Sequence, residues 1–443
     1  MLMNLLLILV GKLLSAVSRI ANMGSGSTWP GHIALSLNKN FIKDLLKTKD
    51  KRLKTILIAG TNGKTTTSKL IRTILEKNDI RVVHNESGAN LINGIASVLI
   101  QNSSVFGQIN TEYAIFEIDE NTLPLILKEI NNPDYVIILN LFRDQLDRYG
   151  EVNSIATKWK KAIEQLSNKT VLILNADDPQ IAYLGLHRQA NPIPYRNRSY
   201  DVVFFGLEDG KIAKDKYQHA SDSTYCPNCG KKLIYESIYF SHLGNWKCEN
   251  CGLKHPSNSY SISPFYPLHG VYNEYNTNAA SLVAEEIGLS KQKIKDALQD
   301  FKPAFGRQEI LNIDGKKVQI FLSKNPTGFN ESLKTISTLN AKNLLLVLND
   351  RIPDGRDVSW IWDVDFEDFS SQFKNIIVSG DRVFDIGLRL KYAEFKNFEI
   401  EENLEKAINN AIKQSRKNET LFILPTYSAM LEVRKILTGK KIL

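Results

Sequence analysis

Two periodicities of apolar residues alternate along this chain. Short apolar runs at Ile56–Ala59, Arg81–His84, Tyr113–Ile118, Tyr135–Asn140 and Val171–Leu174 have the length and composition of buried strands. Between them apolar positions recur at helical spacing. Leu70, Ile71, Ile74 and Leu75 share one face of a helix predicted over Thr65–Lys77. Such alternation predicts an α/β fold, a mostly parallel sheet with helices on both faces. It breaks over about 211–259 and resumes after Phe305-Gly306-Arg307, with strands predicted at Val318–Leu322, Leu344–Leu348, Asn375–Val378 and Leu421–Leu424. The expected organisation is an N-terminal helical segment (1–50), a central domain (51–304) with an insertion at about 215–257, and a smaller Rossmann-like C-terminal α/β domain (305–443).

The N-terminal segment reads as one helix over Leu5–Ile20. Its apolar run falls short of the ~20 residues that span a bilayer. With no basic stretch before it and no clear small-residue cleavage site, a signal peptide is not expected. The helix either packs on the body or rests on a membrane surface.

At 443 residues the chain has room for two or three buried cores. Its 56 Lys and Arg against 48 Asp and Glu give +8. That suits anionic partners such as nucleotides, phospholipid surfaces or pyrophosphates without selecting one, and serves general solubility equally well. No internal repeat or low-complexity tract is present.

The run Gly60-Thr61-Asn62-Gly63-Lys64-Thr65-Thr66 lies between a predicted strand and a predicted helix. Strand, glycine loop, Lys-Thr and helix form the arrangement that cradles a nucleoside triphosphate. The glycines let backbone N–H groups approach phosphate oxygens, and the helix N-terminus adds partial positive charge. Lys64 is expected at the β/γ-phosphates of ATP and the Thr65 hydroxyl on Mg²⁺. The bland alternative is a strand–turn–helix that happens to contain Gly-Lys-Thr.

All four cysteines fall in one pattern: Cys226-Pro-Asn-Cys229, eighteen residues, Cys248-Glu-Asn-Cys251, each pair followed by glycine. This is zinc-ribbon spacing, four thiolates for one tetrahedral and therefore structural Zn²⁺. Two disulfides are the alternative, disfavoured where nothing signals secretion. A ribbon can touch nucleic acid, but Tyr225, Tyr235, Tyr239, Phe240 and Trp246 are expected to fill a small core of the insert. No nucleic-acid partner is expected. With every thiol on zinc, no cysteine is left as a nucleophile, so any glutamine hydrolysis must come from another chain.

Taken in order, the glycine loop, Phe116-Glu117-Ile118-Asp119-Glu120, Asn140-Leu-Phe-Arg-Asp144-Gln145-Leu-Asp147, Asn175-Ala-Asp177-Asp178, Gly270-Val-Tyr272-Asn273-Glu-Tyr-Asn276 and Gly306-Arg307-Gln-Glu309 resemble the Mur ligase family. Finer strings resemble its MurT-type branch, subunits of lipid II isoglutaminyl synthase. They are Thr28-Trp-Pro-Gly31, Ser87-Gly-Ala-Asn90, RDQLDRYGE from Arg143, the Cys₄ insert, KNPTGFNE from Lys324, DGRDVSWIWD from Asp354, SGDRVFDIGLRLKYA from Ser379 and LPTYSAML from Leu424. About fifty residues precede the loop, too few for the domain that holds the UDP-sugar in other Mur ligases, so a lipid-linked peptidoglycan precursor is the expected substrate.

The resemblance implies ATP-dependent amidation of the α-carboxyl of D-glutamate in the stem peptide, through an acyl phosphate. Ammonia would come from a GatD-type glutaminase subunit in a heterodimer, in the cytoplasm and at the inner face of the membrane. A ligase that adds a whole amino acid and a zinc-ribbon nucleic-acid ATPase are the competing readings. Thr65 and Glu117, at strand ends facing the same crevice, are the expected Mg²⁺ ligands. By family analogy Asn273 and Asn276 would meet adenine or ribose, and Arg307 would reach the γ-phosphate from the domain junction. The bland alternatives are a first-turn acid, helix caps and a surface ion pair. Asp354 and Asp357 follow a predicted strand of the second domain, where they could steer ammonium or take its proton, or simply make a turn. Three departures stand out. Gln145 replaces a family histidine that helps bind a second metal, leaving a second Mg²⁺ in question; Tyr272 replaces another family histidine; and the family's carbamylated lysine aligns only loosely with Lys158 or Lys160.

Overall fold

The computed structural model describes residues 2–20, 28–47, 53–85, 89–144, 151–190, 201–207, 217–256 and 262–439. Six strands, β1 (Lys54–Ala59), β2 (Val82–His84), β3 (Tyr113–Glu117), β4 (Tyr135–Ile138), β5 (Val171–Asn175) and β6 (Val202–Phe205), form a sheet ordered β2-β3-β1-β4-β5-β6. Every pairing in it is parallel. A parallel sheet is covered on both faces, which is why β1 is a continuous apolar run and not an alternating one. Ile56 and Ile58 point into one core, with the helices Lys64–Glu76 and Val271–Ile287. Leu57 and Ala59 point into the other, with the helices Ile92–Asn102, Leu123–Glu129 and Val152–Glu164.

The insert contains an antiparallel hairpin, β7 (Ile234–Phe240) and β8 (Leu243–Lys247). It does not have a core of its own, as the sequence suggested. Tyr239 and Phe240 enter the main core, and Trp246 is buried and donates its indole N–H to the Ala176 carbonyl at 3.0 Å. Tyr225 is 60% exposed. The hairpin lies directly on the sheet, so its apolar side is filled from below. His255 Nε2, 2.8 Å from Asp177 Oδ1, ties the end of the insert to the turn after β5.

A second sheet consists of β9 (Arg307–Ile313), β10 (Lys316–Phe321), β11 (Asn343–Val347), β12 (Asn375–Ser379), β13 (Glu399–Ile400) and β14 (Thr420–Pro425) in the order β13-β12-β11-β14-β10-β9. It is parallel except for the β9–β10 hairpin. The short edge strand β13 and the half-exposed β9 carry little apolar signal, and sequence reading passed over both. The N-terminal helix, Leu2–Ile20, packs on the body, with Leu7 and Ile8 buried in the first core.

Candidate active site

The chain order of the first sheet fixes where a ligand can bind. The connection after β1 runs past β3 to β2, while the one after β3 returns across β1 to β4. A crevice therefore opens between the carboxyl ends of β1 and β3. The glycine loop leaves β1 at this point and Glu117 ends β3.

Asn140, just beyond β4, braces the loop. Its Oδ1 accepts from the Asn62 amide at 2.9 Å, and its Nδ2 donates to the Asn62 carbonyl at 3.0 Å. Lys64 begins the following helix, buried, with Nζ on the carbonyls of Gly60 and Thr61 and 3.2 Å from Glu120. Thr65 Oγ1 donates to Glu117 Oε1 at 2.9 Å, so the two oxygens expected on Mg²⁺ are neighbours. Asn85 fixes Glu117 from behind. Its Oδ1 accepts from the Glu117 amide and its Nδ2 donates to the Glu117 carbonyl, both at 2.8 Å.

Gly63 has φ of +91°, and Asn276 lies directly beneath it. Asn276 accepts from Thr67 Oγ1 at 3.4 Å and donates to Asn273 Oδ1 at 3.2 Å. Asn273 in turn donates to the His269 carbonyl at 2.7 Å. Neither asparagine caps its helix, whose N-cap is Gly270.

The second unit closes the crevice into a cleft of about 350 Å³. Thr61 to Thr66, Glu117, Asn273, Asn276 and Arg307 all line it. Arg307 opens β9. Burial pulls its guanidinium below the usual arginine range, against the opposing pull of Glu117. Lys324 precedes the helix Pro326–Thr338 and forms an ion pair across the cleft with Asp144. Burial works against its charge, but Asp144 and Glu120 prevail and raise its pKa above the ordinary lysine value. Asn325 caps that helix by accepting from the Gly328 amide at 2.8 Å, and its Nδ2 donates to Asn62 Oδ1 at 2.9 Å. Two helix N-termini thus converge on the cleft. Burial also raises the Glu120 carboxyl, opposed by Lys64 and Lys324. Tyr272 crosses to the second unit, its hydroxyl accepting from Gln308 Nε2 at 2.9 Å.

Sequence reading gave no role to Lys324, Asn325, Glu120 or Asn85. The signal that could have found Asn325 is the Asn-Pro pair at 325–326, the pattern of an N-cap followed by proline.

Other expected residues fall elsewhere. Pro353 lines the cleft, but Asp354 and Asp357 do not. Asp354 is buried and accepts from the amide and hydroxyl of Ser428, capping the helix Tyr427–Thr438, whose Tyr427 does line the cleft. Asp357 is exposed and accepts from the Ser359 amide at 2.8 Å. Lys158 is exposed, and Lys160 sits over the Tyr183 ring at 4.9 Å, so neither enters the cleft. Gln145, Asp147, Ser87 and Gly88 lie outside the described residues.

The four cysteines meet in the insert, their sulfurs within 4.8 Å of one another. Cys226 to Cys251 is 3.6 Å and Cys229 to Cys248 is 3.5 Å. Thiolates ~2.3 Å from one tetrahedral ion would stand about 3.8 Å apart, so the cluster fits a bound metal closely. The backbone amides of Lys231 and Leu253 pull Cys229 and Cys251 below the usual thiol range.

Residues 58–284 match the Mur ligase middle domain, and residues 322–430 match the MurT ligase C-terminal domain. The chain is 36% identical over 390 residues, 83% of each sequence, to the lipid II isoglutaminyl synthase (glutamine-hydrolyzing) subunit MurT of Staphylococcus aureus (strain COL). It is 34% identical over 445 residues to the subunit of the same name from Streptococcus pneumoniae (strain ATCC BAA-255 / R6), covering 96% of this chain and 95% of that one. In fold it is similar to a pseudomurein peptide ligase type C from Methanothermus fervidus, with a TM-score of 0.65 at 24% identity over 90% of this chain and 81% of the other.

Proposed function

This chain belongs to the Mur ligase family, in the branch of the MurT subunits of lipid II isoglutaminyl synthase, and from that we propose how its cleft works. The enzyme is an ATP-dependent carbon–nitrogen ligase that converts the α-carboxyl of D-glutamate in the lipid II stem peptide to the amide of D-isoglutamine. A carboxylate oxygen attacks the γ-phosphorus and ADP leaves. Ammonia then attacks the acyl carbon, phosphate leaves, and the nitrogen sheds a proton. Both steps spread negative charge over phosphoryl oxygens, so fixed cations and N–H groups do most of the catalysis.

The observation that carries this reading is convergence. Lys64, the Thr65–Glu117 pair, Arg307 and Lys324 reach one cleft from two separate sheets. In this reading the loop amides and Lys64 hold the β/γ-phosphates, and Thr65 and Glu117 hold Mg²⁺, which favours hydroxyl and carboxylate oxygens. Arg307 reaches the γ-phosphate, and Asn273 and Asn276 face the nucleoside. The boundary between 304 and 305 is the hinge between the two units. Asp354 and Asp357, beyond the cleft lining at Pro353, are the candidates for handling ammonia. The Cys₄ cluster holds a structural Zn²⁺. Ammonia comes from a glutaminase subunit of the GatD type, because the four thiols of this chain are committed to the metal. The reaction takes place in the cytoplasm, at the inner face of the membrane that carries the substrate.

The test is mass spectrometry of lipid II incubated with the chain, its glutaminase subunit, glutamine and ATP. The expected product shows the small mass decrease of a hydroxyl exchanged for an amino group. A gain of one amino-acid residue, or no change with ATP consumed, would overturn the reading.

A further inference from the structure

The N-terminal helix Leu2–Ile20 is apolar on two sides, and only one of them is used by the fold. Leu7 and Ile8 are buried inward. A Cβ at Gly11 would come within 2.9 Å of Ile100 and 3.3 Å of Pro30, so the helix is seated directly on Ile92–Asn102 and on the start of Trp29–Leu37. On the outer side Leu2, Leu6, Leu9, Leu13 and Val17 are 84, 61, 49, 65 and 53% exposed. Their spacing, i, i+4, i+7, i+11 and i+15, makes a single stripe along the helix. A helix that already buries one face normally shows water a polar one. Trp29, 68% exposed, precedes the Pro30 that touches Gly11, and Phe106, 74% exposed, precedes Gly107, which lies against Leu5 and Ile8. Two exposed aromatic residues thus adjoin, in sequence, positions against which the helix packs, and a gathering of exposed apolar residues of this kind marks an interaction site.

The charge of the chain is concentrated in the same segment. Residues 1–52 hold eight Lys and Arg against two Asp, six of the eight net positive charges of the whole protein, and no acidic residue precedes Asp44. An apolar stripe within a basic segment is complementary to an anionic bilayer. A second copy would set like charge against like. No helix among the described residues is long and apolar enough to cross a membrane, so contact is made in the plane of the interface.

We propose that the outer face of the helix Leu2–Ile20, with Trp29 and Phe106 beside it, is a docking surface for an anionic lipid bilayer. The helix Ile92–Asn102 on which it sits starts directly after Asn90 and Leu91, which line the cleft. A helix of that length spans about 16 Å. The docked protein thus holds its cleft close to the headgroup layer. That use of the surface rests on the lipid-linked substrate proposed above, whereas the docking itself does not.

The test is flotation of the full chain with vesicles of phosphatidylcholine alone or mixed with phosphatidylglycerol, without ATP or substrate, so the outcome is blind to the reaction. Binding is expected to the anionic vesicles, to weaken with added salt, and to fall about tenfold or more in Leu6→Glu/Leu13→Glu, since charged side chains on the stripe cannot enter the interface. Phe384→Glu, which alters an equally exposed apolar residue on the second unit, is expected to float like wild type. Hydrogen exchange on the unmodified chain should show vesicle-dependent protection over residues 2–17, which guards against a misfolded double variant. The proposal is overturned by a chain that stays unbound, by equal binding to neutral vesicles, or by wild-type flotation of Leu6→Glu/Leu13→Glu. It is also overturned if the stripe is protected without lipid, through self-association or by the glutaminase subunit.

Discussion

Replacing Gly63 by alanine should damage the phosphate loop by an amount that can be worked out from its surroundings. The backbone there has φ of +91°, and an added Cβ would stand 2.0 Å from Asn276 Oδ1. The left-handed conformation alone costs an L-residue about 1–2 kcal/mol. The clash cannot be relieved by swinging a loose side chain aside, because Asn276 is buried and bonded to both Thr67 and Asn273. Giving up those two bonds costs about 1 kcal/mol each. Together the loss is about 3–4 kcal/mol, a large part of the ~5–15 kcal/mol that holds a domain folded.

Urea unfolding of wild type, Gly63→Ala, Asn276→Ala and the double variant separates the two contributions. Asn276→Ala removes the obstacle, so the double variant should be more stable than the sum of the single losses by about 2 kcal/mol, leaving the backbone strain. Nucleotide affinity, read by calorimetry, should fall in all three variants, since each disturbs the loop or the side chain beneath it. A Gly63→Ala protein within about 0.5 kcal/mol of wild type and with full nucleotide affinity would refute the reasoning, as would strict additivity in the cycle.

Metal analysis should find one zinc per chain, and Cys229→Ser should lose it together with a clear drop in melting temperature, because the insert shares its aromatic residues with the main core. Burial and the nearby Arg72 hold His84 down at about 4, from the ordinary 6.5. Its neutral form is the one that fits the fold, so stability is complete above pH 6.5 and falls as pH drops toward 4. The fall is about 2–3 kcal/mol, with the ring's partial exposure taken into account, and urea melts at pH 7 and pH 5 should differ much less in His84→Gln. Lys324→Met leaves Asp144 buried without its cation. Because the pair spans two units, the ~3 kcal/mol penalty should appear as cleft opening in small-angle scattering, and Asp144→Asn in the same protein should reverse it. Asp357→Asn should slow amidation about 100-fold with nucleotide affinity unchanged if this acid takes the ammonia proton, and a wild-type rate would remove it from that role.

The strands at the centre of each sheet were legible because a strand covered on both faces must be apolar along its whole length. Tyr113, Tyr135, Val171 and Asn375 begin strands where the sequence put them. The glycine loop was legible for a related reason, since a phosphate cradle demands particular residues at particular backbone angles. The insert was legible only in its thiols. Spacing brings four sulfurs into one cluster, but nothing local says whether Tyr239, Phe240 and Trp246 fill a separate core or enter the sheet below. Lys324 was the hardest case. Its partner Asp144 is 180 residues away, so its place in the cleft is a product of how two sheets face each other.

That facing arrangement also explains how the cleft tolerates so much charge. Lys64 rests on Glu120 and Lys324 on Asp144, and burial opposes the charge of Arg307 and of Lys324. Two of the three cations are thus balanced by carboxylates that are themselves buried. A triphosphate entering between two helix N-termini would offer those cations better partners, and a divalent ion beside Thr65 would neutralise the acids given up. Holding Lys64 and Lys324 in place beforehand lowers the reorganisation needed when phosphoryl charge develops. Because Lys324 and Asn325 belong to one unit and Asp144 and Asn62 to the other, the same contacts that stabilise the charge also draw the two units together. Neither unit can complete the site without the other.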